Sequence, residues 1–158
     1  MKGLIVRIDD RLVHGQVSAG WVEPLGIRLV VIASDAVAAD DLERELYRAA
    51  VPEGVEFVCL PVREAAQALG QPDGPRAMAL VGSIADARRL VEAGLNVPRL
   101  NVGGVHRGPG RVEVLPFVWL TEDERADCRS IAERGVKLEA QMLPDSQAWD
   151  LAALLEAK

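Results

Sequence analysis

The chain has 158 residues, of which 49% are apolar and 27% are charged, and its net charge at pH 7 is −6. Lys and Arg alternate with Asp and Glu instead of forming a basic face, so we expect no nucleic-acid partner. The apolar runs fall short of the roughly 18 residues that cross a bilayer. The N-terminus also lacks the cleavage site of a signal peptide, so we expect a cytoplasmic protein.

Short β-branched runs alternate with helical patterns along the whole chain. The strand candidates are LIVRI (4–8), RLVVIA (28–33), VEFVCL (55–60), AMALVG (77–82), RLNVG (99–103), VLPFVWL (114–120) and VKLEAQM (136–142). Several are apolar on successive residues, which is typical of strands covered on both faces in a parallel sheet. The pattern predicts an α/β fold: a single-domain, open, mainly parallel sheet of about six to seven strands with helices on both faces.

The segments between these strands carry helix-start and helix-stop signals. Three pairs resemble capping boxes: Asp40 with Glu43, Ser83 with Asp86, and Thr121 with Glu124. Gly94 and Gly135 fall where a left-handed residue ends a helix. The last helix is predicted to begin at the turn 144–146 and to carry Trp149 on its apolar face.

The end of the first strand carries the polar stretch RIDDRLVHGQV (7–17). In open α/β sheets, ligands gather beyond the carboxyl ends of the strands. The next residues, VSAGWVEP (17–24), predict a short helix that ends at Pro24, with His14 at or just before its N-terminus. The unpaired amides of a helix N-terminus suit a phosphate group.

The residue types in this stretch suit phosphoryl transfer. A neutral imidazole nitrogen of His14 can attack a phosphoryl group, and the Arg11 guanidinium can hold two of its oxygens. Backbone amides around Gly15 and Gln16 can bind the remaining oxygen. One of the two aspartates before Arg11 would orient that arginine or fix the tautomer of the ring. On the residues alone, an ordinary surface histidine flanked by turn-forming aspartates remains an alternative.

The stretch IDDRLVHGQV resembles the active-site signature of a bacterial protein family. This family comprises the IIB components of the mannose, fructose and sorbose branch of the phosphoenolpyruvate-dependent sugar phosphotransferase system. Later segments resemble the family in the same order: RLVVIASDAVAAD (28–40), RRLVEAGLNVPRLNVGG (88–104) and RGVKLEAQMLPDS (134–146). The resemblance covers essentially the whole chain and implies one IIB domain of the mannose and sorbose type over residues 1–158.

The resemblance implies that the protein is a phosphotransferase. His14 would accept a phosphoryl group on Nδ1 from a phosphohistidine of a IIA partner. It would then pass the group to a sugar during uptake through the membrane components IIC and IID. From the residue chemistry described above, we expect Arg11 to be a second catalytic residue and Asp10 to be a supporting one. Neither a cofactor nor a metal is implied.

Two loops depart from the family's pattern. The family usually has Phe-Thr-Asn or Phe-Lys-Asn and then proline where this chain has VGSIAD (81–86), so Ser83 is either a substitute hydroxyl or an ordinary N-cap. Gly103 and Gly104 either let the backbone approach the His14 loop or form a simple tight turn. The family generally has Met after this glycine pair, whereas this chain has VHRGPG (105–110), in which His106 is expected at the surface.

These departures keep two other functions open. The domain is alternatively a regulatory module whose phosphorylation changes a docking surface, with no part in sugar transport. A third and weaker hypothesis is a nonenzymatic anion-binding domain that uses the same loop.

Overall fold

A mainly parallel sheet organises the chain, for which a computed structural model describes residues 3–157. The strands are β1 (Ile5–Asp9), β2 (Leu29–Ala33), β3 (Glu56–Leu60), β4 (Ala77–Val81), β5 (Arg99–Gly104), β6 (Val112–Leu115), β7 (Val118–Leu120), β8 (Lys137–Ala140) and β9 (Trp149–Asp150). The main sheet has seven strands in the order β3-β2-β4-β1-β5-β8-β9. Its strands are parallel except for β9, which runs antiparallel to β8. The predicted α/β architecture is therefore confirmed.

Helices connect the strands and cover both faces of the sheet. They are α1 (Gly15–Val17), continued by a π-helical turn (Ser18–Val22), α2 (Asp35–Ala38), α3 (Asp41–Ala50), α4 (Val62–Leu69), α5 (Ile84–Glu92), α6 (Glu122–Glu133) and α7 (Leu151–Glu156). Within residues 3–157, no helix is long and apolar enough to span a bilayer.

Five of the predicted helix ends agree with the structure. The side chains of Asp40, Ser83 and Thr121 each accept the amide three residues further on, which satisfies a free donor of the first turn. Thr121 forms the full reciprocal box with its partner carboxylate. Gly94 and Gly135 have φ values of +106° and +84°, the left-handed conformation expected after a helix.

Buried apolar side chains form one cluster on each face of the sheet. Strand β4 shows how the sequence produces them: Ala79 and Val81 belong to one cluster, and Met78 and Leu80 belong to the other. A strand between two apolar layers must be apolar on successive residues. The continuous run AMALV is therefore explained by its central position.

The predicted strand 114–120 is wrong, because this segment forms two strands. β6 and β7 make an antiparallel hairpin outside the main sheet, with Pro116 and Phe117 between them. Proline has no amide to donate and interrupts a strand ladder. The seventh strand of the main sheet comes instead from Trp149–Asp150.

The predicted start of the last helix is also wrong. α7 begins at Leu151, after Asp150, whose side chain accepts the Ala153 amide at 3.2 Å. Trp149 therefore lies in β9, where its side chain is partly exposed, and not on the apolar face of the helix. The aspartate at position 150 is a strong N-cap, and it sets the helix start later than the turn at 144–146 suggested.

The position of β1 in the sheet leaves space for a site at its carboxyl end. β1 lies between β4 and β5, and the chain leaves β1 toward β2 on one side but later crosses to β5 on the other. Such a switch point opens a crevice beyond the strand ends. The polar stretch that follows β1 lies at this point.

Candidate active site

The loop after β1 brings the His14 ring back onto the strand end. Asp9 is the last residue of β1 and its side chain is fully buried. His14 Nε2 lies 2.8 Å from Asp9 Oδ2. The turn between them is closed by the Leu12 amide, which donates to the Asp9 carbonyl at 2.9 Å. Leu12 itself adopts φ +56°, a left-handed conformation that costs a residue with a Cβ about 1 kcal/mol or more.

The Asp9 carboxylate fixes which ring nitrogen of His14 carries the proton. Burial by itself raises the pKa of Asp9, but hydrogen bonds from His14 and the Arg11 amide and the charge of Arg7 together lower it below its ordinary value. Asp9 is therefore ionised at neutral pH and acts only as an acceptor, so neutral His14 donates Nε2–H to it. The lone pair then lies on Nδ1, for which the described residues offer no hydrogen-bond partner.

Free backbone donors directly follow His14 in the chain. His14 is the N-cap of α1, and the first intrahelical hydrogen bond runs from the Ser18 amide to the His14 carbonyl at 2.9 Å. The amides of Gly15, Gln16 and Val17 therefore have no acceptor within the helix. A Cβ on Gly15 would meet nothing within 4 Å, so the approach to these amides is open.

Arg11 adds a half-exposed positive charge near Asp9. Its side chain is 50% exposed, and its Nε lies 3.7 Å from Asp9 Oδ1. Its backbone amide donates to the same oxygen at 3.0 Å. A nucleophilic nitrogen, three amide donors and a guanidinium together form an arrangement that can bind and stabilise a phosphoryl group.

A buried arginine, Arg7, lies on the interior side of Asp9. It was not identified from the sequence. Its side chain is fully buried, and its Nε lies 3.8 Å from Asp9 Oδ2. The guanidinium donates to the Asn101 side chain, to the Gln141 carbonyl at 3.0 Å and to the Met142 carbonyl at 3.1 Å. Burial lowers its pKa to about 10, the nearby Asp9 notwithstanding, so Arg7 remains charged at neutral pH.

Gly103 leaves room for the Arg7 side chain, and Gly104 contacts the turn that follows Asp9. The register shifts between Ile8 and Asp9, so that Asp9 pairs with Gly104 and Gly103 is the extra residue. A Cβ on Gly103 would lie 1.9 Å from Arg7 Cζ, which no side chain can occupy. The Gly104 carbonyl accepts the Asp10 amide at 2.9 Å. Of the two interpretations of the pair, close approach to the His14 loop is the one that these contacts support.

The other two predicted supporting residues, Asp10 and Ser83, have different partners. Asp10 contacts His106 and not His14: the His106 amide donates to Oδ2 at 2.8 Å, and His106 Nδ1 lies 2.6 Å from Oδ1. Ser83 Oγ accepts the Asp86 amide at 3.1 Å, as an ordinary N-cap does. A Cβ on the preceding residue, Gly82, would lie 3.6 Å from a Leu12 methyl carbon, so this loop packs against the turn that carries His14.

The described residues offer little to bind a metal ion. Within residues 3–157, no three or more His, Cys, Asp or Glu side chains group as metal ligands would. The buried charge of Asp9 is met by Arg7, Arg11 and His14.

Comparisons with known proteins agree on one family. A family model described as "PTS system sorbose subfamily IIB component" matches residues 4–158. The fructose-specific EIIB component of Bacillus subtilis is 30% identical over 157 residues, which are 98% of this chain and 96% of that protein. The mannose-specific EIIAB component of Escherichia coli (strain K12) is 31% identical, and the match covers 96% of this chain but 49% of that longer protein. The crystal structure of the IIBSor domain of the sorbose permease from Klebsiella pneumoniae superposes with a TM-score of 0.89 at 25% identity, over 98% of this chain and 97% of that one.

Proposed function

Because this chain belongs to the sorbose subfamily of IIB components of the sugar phosphotransferase system, we propose that it carries a phosphoryl group on Nδ1 of His14. IIB components of this system are phosphotransferases with a role in sugar transport. In the proposed cycle, His14 takes the group from a phosphohistidine of a IIA partner and gives it to a sugar. The receiving sugar would be in transit through IIC and IID membrane components, with this domain on their cytoplasmic side.

The observation that carries this proposal is the asymmetry of the His14 ring. Its Nε2 is held by a buried carboxylate at 2.8 Å, while Nδ1 has no hydrogen-bond partner among residues 3–157. His14 is also the N-cap of a helix start whose first three amides have no helical acceptor. Attack by the Nδ1 lone pair forms a P–N bond as the bond to the donor nitrogen breaks. The ring then carries a positive charge, which the Asp9 carboxylate stabilises through Nε2–H.

The same contact prepares the second half of the cycle. When a sugar hydroxyl attacks phosphorus, the P–N bond breaks and the electron pair returns to Nδ1. Because Nε2 has kept its proton, the leaving group is a neutral imidazole and not an imidazolate. Arg11 and the amides of Gly15 and Gln16 stabilise the charge on the transferring oxygens in both directions.

A relative supports the proposed donor. The mannose-specific EIIAB component joins IIA and IIB in one protein, as its name states, and its similarity to this chain covers 49% of its length. We infer that the donor here is a IIA domain, acting through a weak and transient contact. The test is incubation with phosphoenolpyruvate, the general carrier proteins and candidate IIA proteins, followed by mapping of the phosphorylated residue. Phosphorylation on a residue other than His14 would contradict the proposal.

Asp9→Asn is expected to slow phosphorylation of His14 by about a hundredfold. The amide of an asparagine can donate to Nε2, which would place the ring proton on Nδ1 and block the nucleophile. Initial rates of phosphorylation by a IIA donor measure the effect, at a temperature where circular dichroism shows the variant folded. Asp73→Asn, in an exposed loop, is the matched control. A wild-type rate for Asp9→Asn would remove the tautomer argument.

Arg11→Lys is expected to slow the same reaction by about tenfold, while the midpoint of thermal unfolding stays within the error of wild type. A lysine retains the charge but cannot hold two phosphoryl oxygens in a fork. Arg63→Lys, an exposed residue of α4, makes the same chemical change elsewhere. Equal rates for both variants would exclude Arg11 from the transition state.

A further inference from the structure

The second histidine of the chain forms a fixed pair with Asp10 beside the candidate active site. Both oxygens of the Asp10 carboxylate contact His106: one accepts the His106 backbone amide at 2.8 Å, and the other lies 2.6 Å from His106 Nδ1. With Nδ1–H donated to this carboxylate, a neutral His106 has its lone pair on Nε2. Its side chain is 46% exposed, so the ring is held in place without being enclosed.

Gly104 joins this pair to the His14 loop. The point where a Cβ on Gly104 would lie is 3.1 Å from His106 Cε1 and 3.3 Å from Asp9 Oδ1. Cε1 lies between the two ring nitrogens, so the ring edge near Gly104 is the one between the Nδ1 that contacts Asp10 and the unpaired Nε2. Because Gly104 has no side chain, only this empty space separates the His106 ring from the Asp9 carboxylate that contacts His14. The Asp10 amide bonds the Gly104 carbonyl at 2.9 Å, which fixes this spacing.

The charged groups around His106 leave the imidazole as the available proton acceptor. Arg111 donates to the His106 carbonyl at 2.7 Å and lies 3.9 Å from Asp10 Oδ2. Arg11 and Arg111 are guanidinium groups that cannot accept a proton. The Asp9 carboxylate is buried and already bonded to His14, and the Glu124 carboxylate accepts a hydrogen bond from Arg111 Nε at 2.9 Å. Nε2 of His106 has no hydrogen-bond partner among residues 3–157.

We propose that His106 accepts the proton of the sugar hydroxyl when the phosphoryl group leaves His14, an inference that rests on the proposed function. The hydroxyl oxygen forms the new O–P bond as the P–N bond to His14 Nδ1 breaks. The hydroxyl proton passes to Nε2 of His106, and the resulting imidazolium is stabilised by the Asp10 carboxylate on Nδ1–H. Release of that proton to solvent restores the pair.

This assignment separates the two halves of the cycle. Transfer from a phosphohistidine to His14 moves no hydroxyl proton and therefore does not need His106. Transfer to a sugar does need a proton acceptor. A residue with only a structural role would affect both reactions or neither.

The test uses the full chain, first phosphorylated through a IIA donor and then mixed with membrane vesicles that contain IIC and IID. The candidate acceptors are fructose, mannose, sorbose and N-acetylgalactosamine. His106→Gln is expected to become phosphorylated on His14 but to transfer the group to sugar about a hundredfold more slowly. Loss of the low-pH limb of the transfer rate in this variant is the second expected result. Arg107→Gln, a change of the neighbouring exposed residue, is the matched control.

His106→Lys distinguishes a proton acceptor from a simple positive charge. A lysine that is protonated at neutral pH supplies the charge but accepts no proton, so it is expected to be as slow as the glutamine variant. Recovery of the wild-type rate by lysine, or a wild-type rate for His106→Gln, would overturn the inference. Failure of the proposed function itself gives a different result, because His14 would then not become phosphorylated in the wild-type protein.

Discussion

Replacing His14 with alanine is expected to abolish phosphorylation of the protein, because it removes the Nδ1 atom on which the proposed cycle carries the phosphoryl group. The loss should be complete within the sensitivity of the measurement. The wild-type label should be labile in acid and stable in base, as a P–N bond is. The fold should persist, because the His14 side chain is only partly buried and the apolar side chains of the two clusters are unchanged.

His106→Ala is the matched control for this experiment, since it removes the other imidazole of the chain. It should leave the label on His14, because Asp9 and the amides around Gly15 are untouched. The reverse result, with the label lost in His106→Ala and retained in His14→Ala, would overturn the assignment of the nucleophile. A label on both variants would place it on a third residue.

Gly103→Ala is expected to have the largest effect on stability. The added methyl would lie 1.9 Å from Arg7 Cζ and 2.0 Å from one of its terminal nitrogens. Arg7 cannot move aside without breaking its hydrogen bonds to Gln141 and Met142 while remaining buried. Overpacking of this kind typically costs about 1–3 kcal/mol, and breaking bonds of a buried charge adds to it. We expect a loss of about 4 kcal/mol or failure to fold.

Chemical denaturation measures this loss, and Gly108→Ala is the control. A Cβ on Gly108 would meet atoms of Arg111 no closer than 3.6 Å, which is an ordinary contact. It should change the free energy of unfolding by less than about 1 kcal/mol. If Gly103→Ala is as stable as Gly108→Ala, the arginine is not held where the structure places it.

Those parts of the fold that depend on local chemistry could be predicted from the sequence. The continuous apolar runs identified the buried parallel strands, and the N-caps at Asp40, Ser83 and Thr121 identified helix starts. Prediction was wrong where a single residue outweighed the pattern around it. Pro116 divides an apolar run into a hairpin, and Asp150 moves a helix start past Trp149.

Only those parts of the candidate site that are close together in the sequence could be predicted. The stretch around His14 is continuous in sequence, and the short distance between Asp9 and His14 follows from one turn. The sequence leaves open which aspartate serves the ring. In the structure Asp9, at the bulge, contacts His14, whereas Asp10 contacts His106. Arg7 was missed because its acceptors lie on distant parts of the chain. The one sequence signal for Arg7 was a charged residue within the run LIVRI (4–8), whose other residues are all apolar.

The acceptors of Arg7 also determine when during synthesis the site is completed. The carbonyls of Gln141 and Met142, near the C-terminal end, receive the guanidinium that supports the strand end carrying Asp9. The ribosome translates the loop that carries His14 long before these acceptors, since Arg7 and Gln141 are 134 residues apart in the chain. Residues 141 and 142 must therefore emerge from the ribosome before the loop that carries His14 gains this support.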